Sequence, residues 1–256
     1  MTDPVMVHML TENAMGQANK RDRTNEWFVP AFGPPGFRAL VGLLFLPYTG
    51  MVLAYTMIGS MLAPNIHADR VLAVLAIYFL ALGVGAHALD AVGSKESKPW
   101  GDAFSVLHLC VLATLSLSAA YAIGIYYMLF YTPLLWIIAI PEGFFVLAYN
   151  LEWFKGRFHT DAWFAVSWGS LPVLSGYILQ TNEISLAALA IAAAMGFMSL
   201  VQIKASRPYK ALKRAHADGV IDTDTVQIEV LEQILKSISV GVIVLAVGLA
   251  IWREWT

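Results

Sequence analysis

The sequence predicts an all-α polytopic membrane protein, with about seven transmembrane helices in one bundle and a polar cavity open to the cytoplasm. Two observations lead to the class. Of 256 residues, 58% are hydrophobic and only 13% charged, against roughly 25% charged in a soluble domain, and the mean hydropathy is +0.64. The apolar residues are also gathered into about seven runs, each near the ~20 residues that a helix needs to cross a bilayer. A net charge of -2 supplies no basic surface for nucleic acid, and that class of partner is set aside.

Residues 1–36 are polar, with Lys20, Arg21 and Arg23, and close on a Pro/Gly cluster at 30–36. They lack the short apolar core of a secretory signal. They are expected to form a partly ordered cytoplasmic arm, with Phe28, Val29 and Phe32 lying against the membrane surface. Residues 37–256 form a single transmembrane domain. Its first span is expected at 39–62, kinked by Pro47 and Gly50, and the second at 71–92. A charged loop, 93–102, follows. Residues 103–140 contain no Asp, Glu, Lys or Arg, enough for a third span at 103–123, a tight turn near 124–127, and the start of a fourth span at 127–150. After the charged loop 151–161 come spans at 162–179 and 184–203, a long polar loop at 204–232, and a last span at 234–252. The single cysteine, Cys110, lies in an apolar run and is expected to be a buried thiol. The lone His108 is expected to be a satisfied core histidine.

Nearly all lysines and arginines fall in the arm and in the loops after the second, fourth and sixth spans; the opposite loops hold only Arg70 and Arg253. The positive-inside rule then puts the amino terminus and these three loops in the cytoplasm and the carboxyl terminus on the other side. The three loops meet on one face.

Ionisable residues inside apolar runs are costly and point to function. His87, Asp90 and Ser94 stand at i, i+3 and i+7, on one helical face at the end of the second span. Glu142, Tyr149 and Asn150 share a face of the fourth, with Glu142 about two turns deeper. Lys98, Lys155, Arg157, Lys204 and Arg207 give the cytoplasmic side a ring of cations suited to a phosphate or diphosphate group. Trp153, Phe154, Trp163 and Trp168 read as an interfacial aromatic belt.

These residues resemble the UbiA superfamily of intramembrane prenyltransferases. The family's NDxxDxxxD motif ends the second span, where this chain reads Ala86-His87-x-x-Asp90-x-x-x-Ser94, keeping the middle aspartate. Lys98-Pro99-Trp100-Gly101 is similar to the family's Arg-Pro and glycine before the third span. Tyr149-Asn150 followed by Lys155 and Arg157 is similar to its pattern after the fourth. The run SWGSLPVLSGYILQT at 167–181 looks most like the branch that prenylates dihydroxynaphthoate. The family's second aspartate motif is replaced by Gln202-Ile203-Lys204-Ala205-Ser206-Arg207. The resemblance implies transfer of an isoprenoid group from its diphosphate to a lipophilic or quinone-precursor acceptor, with magnesium on the diphosphate. It assigns chemistry to Asp90, His87 and Glu142, the metal to Asp90 and Glu152, and the diphosphate to Lys98, Asn150, Lys155, Arg157, Gln202, Lys204 and Arg207. Two alternatives stay open on the same fold: a non-catalytic binder of a lipid or quinone, and a different metal-dependent lipid enzyme that would draw also on His159 and Asp161.

Overall fold

The structure is a computed structural model that describes residues 26–93, 103–217 and 225–254. Among these residues it is all-helical. Helices α1 (Pro35–Leu44) and α2 (Leu46–Met61) meet at 43° and together could form one span. Six further helices are long and apolar enough to cross a membrane: α3 (Ala68–Gly93), α4 (Val106–Phe130), α5 (Pro133–Asn150, its first turn 3-10), α6 (Asp161–Thr181), α7 (Leu186–Ala217) and α8 (Thr225–Glu254). A multi-pass membrane protein of six to seven spans follows.

The bend between α1 and α2 has a local cause. Pro47 has no N–H, and its ring would clash with the carbonyl four residues back, so the helix cannot run through. Phe45 turns into the left-handed region at φ 44°, Tyr48 N–H bonds the Phe45 carbonyl, and the Thr49 hydroxyl takes over the Leu44 carbonyl at 2.5 Å. The bend points the Phe45 ring inward, where it is 8% exposed.

The expected turn at 124–127 is corrected. Helix α4 runs on to Phe130 and stops before Pro133, whose ring drives Thr132 out of the helical region. Tyr131 and Thr132 both donate to the Tyr127 carbonyl. The polar stretch 204–232 is likewise no loop over most of its length: α7 continues to Ala217 and α8 starts at Thr225, with Pro208 accommodated inside α7. The helix-forming run Ala211-Leu212-Lys213-Arg214-Ala215 outweighs one proline near the polar end. Cys110 and His108 are exposed on α4, not buried; His108 belongs to the helix start, its backbone N–H and ring both meeting the Ser105 hydroxyl.

Helix α2 is the centre of the bundle, packed between α6 and α8 and buried over most of its length. Its contact with α6 is backbone against backbone. A Cβ on Gly59 would collide with the Val173 carbonyl, and one on Gly176 with the Thr56 carbonyl. Ser60 Oγ bonds the Thr56 carbonyl of its own helix at 3.0 Å and reaches across the contact to the Gly176 carbonyl at 3.4 Å. At the end of the bundle carrying the α2–α3 turn, Arg70 donates to the Leu179 and Gln180 carbonyls and Arg253 to those of Ala63 and Pro64. Both arginines thereby occupy carbonyls that a helix end leaves without partners.

Of the arm's Phe28, Val29 and Phe32, only Phe32 is exposed, together with its neighbours in 31–36. Val29 is buried and the Phe28 ring sits 4.7 Å from Phe45. Glu26 enters a polar cluster between α7 and α8. The Tyr209 hydroxyl is within hydrogen-bonding distance of Glu26 (3.0 Å) and Glu232 (3.1 Å), Lys213 Nζ donates to Glu26 at 2.9 Å, and Lys236 Nζ to Glu232 at 2.6 Å. Substituting Glu26 with alanine is expected to release this segment at a cost of about 1–2 kcal/mol, the scale of lost charge-assisted hydrogen bonds. Amide exchange over 26–33 should then speed up about tenfold or more, while exchange in α2 stays unchanged.

Candidate functional site

One end of the bundle holds an open cavity of about 370 Å³, built from six elements. Phe45 and Tyr48 come from the α1–α2 bend, His87 and Asp90 from the end of α3, Tyr149 and Asn150 from the end of α5, and His159 from the segment after it. Phe164 and Trp168 come from α6. Ile203, Arg207, Lys210 and Arg214 form one face of α7.

Two wide helical turns set the aromatic and histidine wall. Residues Phe79–Ala86 in α3 and Val166–Ser170 in α6 are π-helical, a form that recurs at functional sites because it shifts side chains and frees carbonyls. His87 N–H bonds the Val84 carbonyl, which leaves the Gly83 carbonyl to His87 Nδ1 at 3.0 Å. A carbonyl can only accept, so Nδ1 carries the proton and the ring orientation is fixed. The ring lies 5.3 Å from Trp168 and 5.8 Å from Phe45. Trp168 stacks on Phe164 at 5.5 Å and is 5% exposed, so it belongs to the cavity and not to an interfacial belt. His159 donates from Nδ1 to the Tyr149 carbonyl at 3.0 Å and stacks on the Tyr149 ring at 4.3 Å.

A glycine brings α3 and α5 together. At Gly93 an added Cβ would strike the Asn150 carbonyl. This approach holds Asp90 and Asn150 on one cavity. Asn150 is buried and donates from Nδ2 to the Val146 carbonyl at 2.8 Å.

Opposite them runs the cationic face. Arg207, Lys210 and Arg214 stand at i, i+3 and i+7 on α7 and so project to one side. Lys210 Nζ lies 4.7 Å from the Phe45 ring centre and 5.3 Å from that of Tyr48, a cation–π arrangement. Arg207 pairs with Asp161 at 3.0 Å and donates to the His159 carbonyl at 3.3 Å. With the Arg207 side chain 43% exposed, that pair is worth at most about 1 kcal/mol. The lining thus sets three cations against one carboxylate, Asp90.

Of the residues singled out from sequence, His87, Asp90, Tyr149, Asn150, His159 and Arg207 come together here. Lys98 and Ser94 lie outside the described residues. Glu152, Lys155 and Arg157 are exposed on the segment after α5, and Lys204 faces out, 3.5 Å from Asp161. Gln202 is buried and is not part of the lining. Glu142 lines a separate cavity. The sequence reading did not assign to the site Phe45, Tyr48, Phe164, Trp168, Lys210 and Arg214. For the last two a signal existed, since 203, 207, 210 and 214 share a face once α7 is extended past the apolar run.

Among the described residues no group of three or more His, Cys, Asp or Glu side chains is gathered to hold a metal ion. Magnesium asks for an octahedron of oxygens. It usually takes these from one or two carboxylates, the substrate's phosphates and water; the lining supplies Asp90 alone, and Glu152 is not in it. The chain matches no protein-family model, no curated protein and no solved structure.

Proposed function

We propose that this chain is an intramembrane protein of the UbiA-like kind. It seats an isoprenoid diphosphate in the 370 Å³ cavity and transfers the isoprenoid group to a lipophilic or quinone-precursor acceptor. The observation that carries the reading is the row Arg207, Lys210 and Arg214 facing aromatic rings across one polar cavity at a bundle end. A diphosphate has the charge for such a row, and an isoprenoid chain has the apolar surface for Phe45, Phe164 and Trp168. The concentration of cations at this end supports a cytoplasmic opening under the positive-inside rule, with the amino terminus on the same side.

The chemistry follows from charge. Breaking the bond between the allylic carbon and the diphosphate oxygen leaves negative charge on the leaving group and positive charge on the carbon. Cations held beside the diphosphate favour the first; aromatic faces favour the second. The acceptor then forms the new bond and loses a proton, for which Asp90 is the cavity's base. Side-chain cations take over part of the charge neutralisation that metal ions give in the family this chain resembles. A non-catalytic lipid- or quinone-binding role is the second reading, favoured by a lining with a single carboxylate.

Purified protein given farnesyl or geranylgeranyl diphosphate and a naphthoquinone precursor is expected to release diphosphate. Asp90→Asn should lower the rate more than about a hundredfold, with donor affinity changed less than about threefold. Tight binding without release would favour the second reading. Absence of binding would sink both.

A further inference from the structure

We propose that the cavity around Glu142 is a second ligand site, entered sideways from the lipid, for a neutral lipophilic molecule with a hydroxyl group at one end. The cavity measures about 70 Å³ and lies between α3, α4 and α5, with Ser175 of α6 at its wall. It shares no lining residue with the larger cavity. Glu142 is eight residues from the Asn150 end of α5, about 12 Å along the helix axis, and its surroundings are aliphatic apart from Tyr78, Tyr121 and Ser175.

The carboxyl is only half satisfied. Tyr78 donates its hydroxyl to Glu142 Oε1 at 2.9 Å, and among the described residues no other hydrogen bond reaches the carboxyl. A carboxyl group in hydrocarbon with one partner is expensive, and the space it faces is the cavity. Small side chains keep that space open: Ala81, Ala120, Gly124, Ala139 and Gly143 all line it.

The route in selects the ligand. Tyr121 lines the cavity yet is 42% exposed on the outside of the bundle, so the opening is lateral, at bilayer depth. Its hydroxyl sits against Gly143, where an added Cβ would collide with it. A charged amine could not approach through hydrocarbon. A hydroxyl can, and it both donates and accepts, so it completes the carboxyl from whichever oxygen faces it. The volume suits the end of a molecule; the rest would lie along α4 in the lipid.

The test uses the full chain in lipid nanodiscs with two photoreactive probes of equal length, a diazirine-bearing long-chain alcohol and the matching hydrocarbon. Labelling of α4 and α5 around Tyr121 and Gly143 is expected to favour the alcohol about tenfold, the upper scale of one hydrogen bond. Glu142→Leu should erase the preference. Gly124→Leu should remove labelling with Glu142 intact, because an added Cβ there meets only Met128 Cε at 3.8 Å and Ile77 Cδ1 at 3.9 Å and the longer side chain fills the cavity. Equal labelling by both probes, the result expected if water alone occupies the space, would overturn the proposal, as would a preference that survives Gly124→Leu, which would place the alcohol elsewhere. No diphosphate enters the experiment, so its outcome is independent of the larger cavity.

Discussion

Replacing Arg207, Lys210 and Arg214 together with glutamine is expected to weaken binding of an isoprenoid diphosphate by about a thousandfold, or ~4 kcal/mol. Each charge-assisted bond to a phosphate oxygen contributes about 1.5–3 kcal/mol, and three acting on one group overlap, so the sum is less than three full bonds. Isothermal titration in detergent or nanodiscs measures it. The control separates this face from ordinary positive-inside charge. Lys155 and Arg157 are exposed and outside the cavity, so the double glutamine variant should change affinity less than about threefold. A similar loss in both variants would mean that surface charge, not the cavity, attracts the ligand. The triple substitution also removes the partly exposed Arg207–Asp161 pair, the Arg207 bond to the His159 carbonyl, the Arg214 bond to the Lys210 carbonyl and the Lys210 cation–π contacts, so an unfolding titration of the variant accompanies the binding measurement.

That control also marks where the sequence was legible. Hydropathy shows the spans because a bilayer demands apolar length, and six of them correspond to helices in the structure, with the bent α1–α2 pair as the remaining one. Segment ends were less visible. Residues 204–217 read as a loop because they are charged, yet charge does not prevent helix formation beyond the apolar run, and Lys210 and Arg214 reach the site only because α7 keeps its turn. His87 and Asp90 could be paired from spacing alone. Trp168 could not be assigned: its place in the cavity depends on the π-helical turn at Val166–Ser170, which side-chain periodicity does not encode. Glu142 and Asn150 show the same limit. They share a face by spacing, but α5 borders two cavities along its length, so the deeper residue faces Tyr78 and the shallower one faces the cationic wall.

The largest stability effect is expected at the contact of α2 with α6, far from any charge. Lipid is as apolar as a leucine surface, so helices inside a bilayer associate through close packing and hydrogen bonds more than through burial of apolar area. Gly59 and Gly176 allow that packing in both directions, each lying against a carbonyl of the opposite helix, and Ser60 adds one long hydrogen bond across it, to the Gly176 carbonyl at 3.4 Å. Gly176→Leu has no side chain to push aside. It must displace the backbone of α2 at Thr56, and with it the helix that carries the centre of the bundle. The expected destabilisation is roughly 4 kcal/mol, the upper range of overpacking substitutions, read as early unfolding in a detergent titration. Gly241→Leu on α8 is the comparison. It too puts a leucine in place of a helical glycine, but nothing lies within 4 Å of an added Cβ, so stability should stay within about 1 kcal/mol of the parent. Equal loss at both positions would remove the α2–α6 contact as the cause. A loss confined to Gly176 would mean that the frame holding Phe45 and Tyr48 on one side of the cavity and Phe164 and Trp168 on the other is set by two glycines.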